Sequence, residues 1–194
     1  FFVYIVRYAV LDWGPTLLGE WKGVSIHHAG WMVAAFEISG IVGMLVAGWA
    51  TDRFFGGRGP RVCVICMALA TVFVALFWGI SQPPMWLATL LLGAAGFCIY
   101  GPQALVGIAA ANIATKKAAA TAVGFTGLFG YASTLVSGWG LGLLAQHYGW
   151  NIAVGALILI AIMGTLIFMA AWSAKANEVE HKLNAELMDR IRRI

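Results

Sequence analysis

Charge is what this sequence has least of. Asp, Glu, Lys and Arg make up 10% of its 194 residues, while 61% are hydrophobic, against about a quarter charged in soluble domains. The deficit is concentrated. Residues 62–80, 85–111, 118–146 and 152–174 contain no Asp, Glu, Lys or Arg at all. Each run is long enough to cross about 30 Å of hydrocarbon at about 1.5 Å per residue. Residues 29–51 form a fifth run broken only by Glu37, and residues 1–18 a sixth that holds Arg7 and Asp12. This pattern argues against a water-soluble fold. It predicts an all-α, polytopic membrane domain over residues 1–174, with spans at 1–18, 29–51, 62–80, 85–111, 118–146 and 151–174, followed by a charged helical tail over 175–194.

Other absences narrow the function. The first segment has no Met, no basic leader and no small-residue cleavage site, so it is not read as a signal peptide; the expectation is that the sequence has lost its beginning. Cys63, Cys66 and Cys98 all fall within spans. The Cys63-x-x-Cys66 pair has no second pair to complete a tetrahedral metal site, and the three are read as small apolar helix residues rather than as a disulfide framework. His27, His28 and His147 fall at helix ends and His181 in the tail, with no metal-binding spacing. There is no Ser/His/Asp constellation, phosphate-cradling Walker loop or dinucleotide fingerprint. The expectation is a non-enzyme with no metal, no cofactor and no nucleic-acid partner.

The placement of the basic residues says more than the net charge of +4. Arg53, Arg58 and Arg61 follow the second span, Lys116 and Lys117 the fourth, and Lys175, Lys182, Arg190, Arg192 and Arg193 the sixth. The alternate connectors hold Lys22 alone. By the positive-inside rule the basic connectors, the N-terminal end and the tail face the cytoplasm. In the tail, Val179, Leu183, Leu187 and Ile191 fall on one i, i+4 stripe, suited either to a surface on the membrane or loops or to a solvated extension.

Small residues are the informative ones for packing, because apolar surface alone does not hold helices together in lipid. Thr126, Gly130, Thr134, Gly138 and Gly142 recur every fourth residue on the fifth span, as do Ser39, Gly43 and Ala47 on the second. These rows are expected to touch neighbouring helices. Gly101-Pro102 interrupts the fourth span, where the missing N–H and the ring predict a bend or local unwinding.

Arg7 is the most informative residue. A guanidinium within a span costs about 2.5–3.5 kcal/mol on insertion scales and marks a substrate path or a buried pair. Its planar fork suits phosphate, which it can grip with two parallel hydrogen bonds. Tyr4 lies one turn earlier on the same face and can add a hydroxyl. The competing reading is an internal ion pair with Glu37, the acid in the middle of another span; Asp12 points about 140° away around the helix. Both hold if Glu37 pairs with Arg7 in one conformation and releases it in another.

Four stretches carry a resemblance. Phe2-Val3-Tyr4-Ile5-Val6-Arg7-Tyr8 through Leu11-Asp12-Trp13-Gly14-Pro15, Gly48-Trp49-Ala50-Thr51-Asp52-Arg53, Tyr100-Gly101-Pro102-Gln103, and Lys116-Lys117-Ala118-Ala119 through Gly124-Phe125-Thr126-Gly127-Leu128-Phe129-Gly130-Tyr131 are similar to the organophosphate:phosphate antiporters of the major facilitator superfamily. The resemblance implies a twelve-helix protein of two six-helix halves, of which this chain is the C-terminal one, lacking its N-terminal partner half. It also implies that Arg7 binds a substrate phosphoryl group, that Tyr4, Tyr100 and Tyr131 line the same cavity, and that Gly48, Asp52 and Arg53 belong to a cytoplasmic loop motif. The expected partners are a small phosphorylated metabolite, inorganic phosphate and the lipid bilayer of a bacterial inner membrane. Val123 and Thr126 resemble the glycerol-phosphate branch, whereas Gly101-Pro102-Gln103 with Gly107 and residues 109–111 resembles the hexose-phosphate and sensor branch. Exchange of organophosphate for phosphate is the leading expectation, beside a sugar-phosphate sensor acting through a partner and an inactive fragment.

Overall fold

A computed structural model of the chain describes residues 1–114 and 118–173. Lys116, Lys117 and the tail with its Val179–Ile191 stripe lie outside the described residues. The described residues form six helices: α1 (Phe2–Lys22), α2 (Ile26–Phe55), α3 (Gly59–Gly79), α4 (Met85–Ile113), α5 (Ala119–Tyr148) and α6 (Trp150–Ala170). Five of them, α2 to α6, are long and apolar enough to cross a membrane. With 21 residues, α1 reaches about 31 Å at 1.5 Å per residue, long enough by length, but Arg7 and Asp12 reduce its apolarity.

Local sequence explains the ends. Gly23 closes α1 in the left-handed conformation, φ 67°, returning its N–H to the carbonyls of Gly19 and Leu18. Gly56 closes α2 in the same way, φ 56°. Pro60 stands in the first turn of α3, and Pro83-Pro84 precede α4, positions where a missing N–H costs nothing. At the same end of the bundle, the Lys22 ammonium donates to the Ile80 carbonyl at 2.6 Å and lies 3.9 Å from the Trp21 ring centre, fastening the α3–α4 connector to α1.

The outward faces are apolar. Ile38, Leu45, Leu69, Leu90, Leu159 and Leu166 are all exposed, a surface that water would not tolerate and hydrocarbon would. The inward faces meet in a core that includes Val6, Leu18, Met32, Phe36, Met67 and Ile99. Helices α2 and α4 share the most extensive seam. Ser39 Oγ donates to the Gly93 carbonyl at 2.7 Å, Gly43 lies against the backbone of Phe97, and a Cβ on Gly101 would come within 2.7 Å of Ala47 Cβ. The Ser39, Gly43, Ala47 row therefore faces α4 along its length. Helix α4 itself is continuous through Gly101-Pro102, so the expected unwinding does not occur; Pro102 is among the most buried residues.

The row on α5 behaves differently. Gly130 lies against the Tyr4 ring and Gly142 against Trp13, but nothing stands within 4 Å of a Cβ on Gly138. Thr126 and Thr134 return their hydroxyls to the α5 carbonyls of Val123 and Tyr131. The physical reason is a change of pitch. Leu135–Gly140 winds as a π-helix between the α-helical segments Ala119–Thr134 and Leu141–Tyr148, so an i+4 row drawn through it rotates off its face.

Candidate functional site

The site is built where α1, α2 and α4 converge. Close approach of α2 and α4 makes it possible: Gly40 lies directly against the Tyr100 ring, and Gly96 against the Phe36 carbonyl. With no side chains between the two backbones, Glu37 on α2 and Tyr100 on α4 can meet. The Tyr100 hydroxyl donates to Glu37 Oε2.

Arg7 reaches the same carboxylate from α1. One terminal guanidinium nitrogen, Nη2, lies 3.3 Å from Glu37 Oε2. The guanidinium carbon stands 4.4 Å from the centre of the Tyr100 ring and 5.7 Å from that of Tyr8, within cation–π range of both. The ring of Tyr100 thus holds the cation by its face while its hydroxyl holds the anion.

This ion pair is only half made. Charge-assisted N–H···O contacts between Arg and carboxylate run about 2.7–2.9 Å and are commonly two-pronged; here a single prong spans 3.3 Å. Arg7 Nε and Glu37 Oε1 are both buried with no hydrogen-bond partner. The side chains are 19% and 30% exposed. In a low-dielectric setting, unpaired polar atoms of this kind are costly, so the arrangement retains unused donors on the cation.

The remaining candidates are distributed around this centre. Tyr4, one turn from Arg7 on α1, is half-buried, its ring 3.1 Å from the position of a Cβ on Gly130 of α5. Tyr131, the next residue on α5, is 71% exposed. Gly48, Asp52 and Arg53 lie on the last two turns of α2 rather than in a loop, with Asp52 and Arg53 exposed and open space around a Cβ on Gly48. The helix continues through them because no breaker precedes Gly56-Gly57.

Two features escape a reading of the sequence by composition and motif. Gln103, one turn beyond Tyr100, has a buried Oε1 without a partner; its place beside Pro102 was the available hint. Trp13 donates its indole N–H to the carbonyls of both Ser137 and Gly138, each at 3.0 Å. The glycines at 138, 140 and 142, spaced more closely than those earlier on α5, were the available hint for that irregular turn.

Comparison with known proteins gives consistent results. A family model described as Major Facilitator Superfamily matches residues 1–192. The chain is 39% identical over 94% of its length to a protein of Chlamydia pneumoniae named a probable hexose phosphate transport protein, covering 40% of that protein. It is 36% identical over 93% of its length to the glycerol-3-phosphate transporter of Haemophilus influenzae, again covering 40%. It is 33% identical over 93% of its length to the membrane sensor protein UhpC of Salmonella typhimurium, covering 41%. The chain thus spans about two fifths of the length of the curated relatives it matches. These names are consistent with the organophosphate:phosphate antiporter likeness. From the match along almost its whole length, the chain belongs to the Major Facilitator Superfamily.

Proposed function

We propose that this chain is the C-terminal six-helix half of a secondary transporter that exchanges a small organophosphate, glycerol-3-phosphate or hexose-6-phosphate, for inorganic phosphate by alternating access. In this reading residues 1–174 form the transmembrane domain, with α1 as its first span, and 175–194 a cytoplasmic tail, in a bacterial inner membrane. The second six-helix body is part of a longer protein, since rocking around a midplane site needs two.

The observation that supports it is the half-made pair between Arg7 and Glu37. A phosphoryl group offers the guanidinium two parallel acceptors where Glu37 offers one long one. Arrival of phosphate on the unused edge of Arg7 transfers the cation from carboxylate to substrate. Glu37 then keeps the Tyr100 hydroxyl, and departure of the product lets the ion pair re-form. The pair thereby lowers the cost of an empty site without saturating it. Tyr4 and Tyr131 supply hydroxyls toward the substrate, Tyr100 lines the site with its ring against Arg7 and its hydroxyl on Glu37, and Gly48, Asp52 and Arg53 act at the cytoplasmic end.

The test is phosphate exchange by the intact protein in proteoliposomes. Arg7→Lys keeps a cation for Glu37 but loses the fork; a charged hydrogen bond is worth about 1.5–3 kcal/mol, so exchange should fall by about ten- to a hundredfold. Exchange at the unaltered rate removes the mechanism.

The sensor relative supports a second reading, in which the protein binds sugar phosphate and signals through a partner without turnover. Binding without radiolabelled uptake in a transporter-null strain would favour it. Neither binding nor uptake would point to an inactive fragment.

A further inference from the structure

Helix α5 departs from α geometry over Leu135–Gly140, and Trp13 of α1 meets it there. In a π turn the hydrogen bonds close over five residues rather than four, which leaves a carbonyl without an intrahelical donor. The Trp13 indole N–H adds a donor from outside the helix, with Ser137 O and Gly138 O both at 3.0 Å, while Gly138 O also takes the Leu141 N–H. The ring is seated as well as bonded. A Cβ on Gly142 would come within 2.6 Å of Trp13 Cζ2, and Trp150 of α6 lies 6.0 Å away, centre to centre. Ser137 is fully buried, and its hydroxyl has no partner, so the serine does not satisfy the turn itself.

A π turn is equivalent to one extra residue in an α-helix. At fixed sequence, conversion of that turn to α would rotate one flank against the other by about 100° and shift it by about 1.5 Å. The far flank, Leu141–Tyr148, is held: Leu141 packs with Ile5, Ala9, Ala153 and Leu157. The near flank carries Gly130, on which the Tyr4 ring rests, and Tyr131. Loss of the π turn would therefore turn Gly130 out from under Tyr4.

We infer that Trp13 is a positioning residue, whose indole N–H holds Leu135–Gly140 in the π form and thereby keeps the Gly130 face of α5 against Tyr4 beside Arg7. The functional consequence rests on the transport reading above; the structural one does not.

Trp13→Phe keeps an aromatic ring at the position but removes the N–H together with the outer ring, whose Cζ2 meets Gly142, so the double variant below separates the two. One hydrogen bond nets about 0.5–1.5 kcal/mol. Hydrogen exchange of the amides at 138–142 in the intact protein should therefore accelerate by roughly two- to tenfold. The organophosphate KM should rise by a similar factor, with kcat within about twofold. Deleting Val136 removes the extra residue, so that α5 can run as a continuous α-helix with both faces kept. This deletion alone should leave KM within about twofold of the unaltered protein, and added to Trp13→Phe it should restore both KM and exchange protection. A purely packing role for the indole would leave the double variant as impaired as Trp13→Phe, and that result overturns the inference. So does unchanged amide exchange in Trp13→Phe, or a tenfold loss of affinity from the deletion alone. If the unaltered protein moves no organophosphate, the transport reading fails, while the amide-exchange arm still decides the inference.

Discussion

The α2–α4 seam and helix α5 are built from the same kinds of small residue and behave oppositely. On the seam, Gly40, Gly43 and Gly96 each lie so close to the facing helix that no Cβ fits, while on α5 Gly124, Gly127 and Gly138 have open space around them. Tyr131, Leu135 and Trp139 on α5 are 71%, 70% and 74% exposed. In lipid, where helices adhere by close packing rather than by expulsion of water, the first arrangement is a continuous seam and the second a rod held at points, Gly130 against Tyr4 and Gly142 against Trp13. The difference teaches how the site is divided. Glu37 and Tyr100 stand on the seam as a frame, whereas Arg7 and Tyr4 reach it from α1, with the Gly130 face of α5 beneath Tyr4.

The largest effect should come from filling the seam. In Gly43→Leu the new side chain meets the backbone of Phe97, which cannot yield as the tip of a flexible side chain would. Overpacking a tight site costs about 1–3 kcal/mol for small increments and more for large ones. The variant should fail to give a monodisperse peak after detergent extraction, while Gly127→Leu, placed into open space, should extract like the parent. Equal recovery of the two would erase the distinction between seam and rod.

Next in size is Glu37→Gln, which acts on the frame rather than on the packing. The amide keeps the volume and an acceptor for the Tyr100 hydroxyl but removes the charge facing Arg7. Weakening a charged hydrogen bond by about 1–2 kcal/mol should lower the Tm by a few degrees. The same change frees the guanidinium, so inorganic phosphate should bind about tenfold tighter, and exchange should slow because release no longer has a competing carboxylate. Weaker phosphate binding in this variant would sharpen the comparison differently, making Glu37 part of the binding surface rather than a counter-charge.

Much of the frame could be read without a structure. Absence of charge located the helices to within a few residues, because desolvation of a charged side chain is costly anywhere along a span. The Ser39, Gly43, Ala47 row on α2 marked a helix-contact face, which the structure turns toward α4, and Arg7 with Glu37 stood out as the two charges each set deep within a span. Three features were not legible. Helix ends reached beyond the apolar runs, as at Arg53 and Lys22, because a helix continues until a breaker stops it, not until the hydrocarbon ends. The π turn on α5 left only its close-set glycines as a hint, because the indole that bonds to it, Trp13, is more than a hundred residues away in sequence. The local unwinding that Pro102 suggested does not occur, α4 running on through a buried Pro102.

The smallest effect separates two hydroxyls that look alike in sequence. Ser39 Oγ reaches across the seam to the Gly93 carbonyl at 2.7 Å, in addition to its own Phe36 carbonyl. Thr134 Oγ1 bonds only within α5, to Tyr131 O. Interhelical hydrogen bonds in membranes average about 0.6 kcal/mol, since the separated helix also finds partners for its polar groups. Ser39→Ala should therefore lower the Tm by a degree or two, whereas Thr134→Ala should leave it unchanged or slightly higher, alanine being the better helix former. A thermal-shift series on the two single variants and their double would show additive effects if the seam and α5 respond independently. A double variant less stable than the sum would mean that α5 leans on the seam after all, and that the frame of the site includes the helix carrying Tyr131.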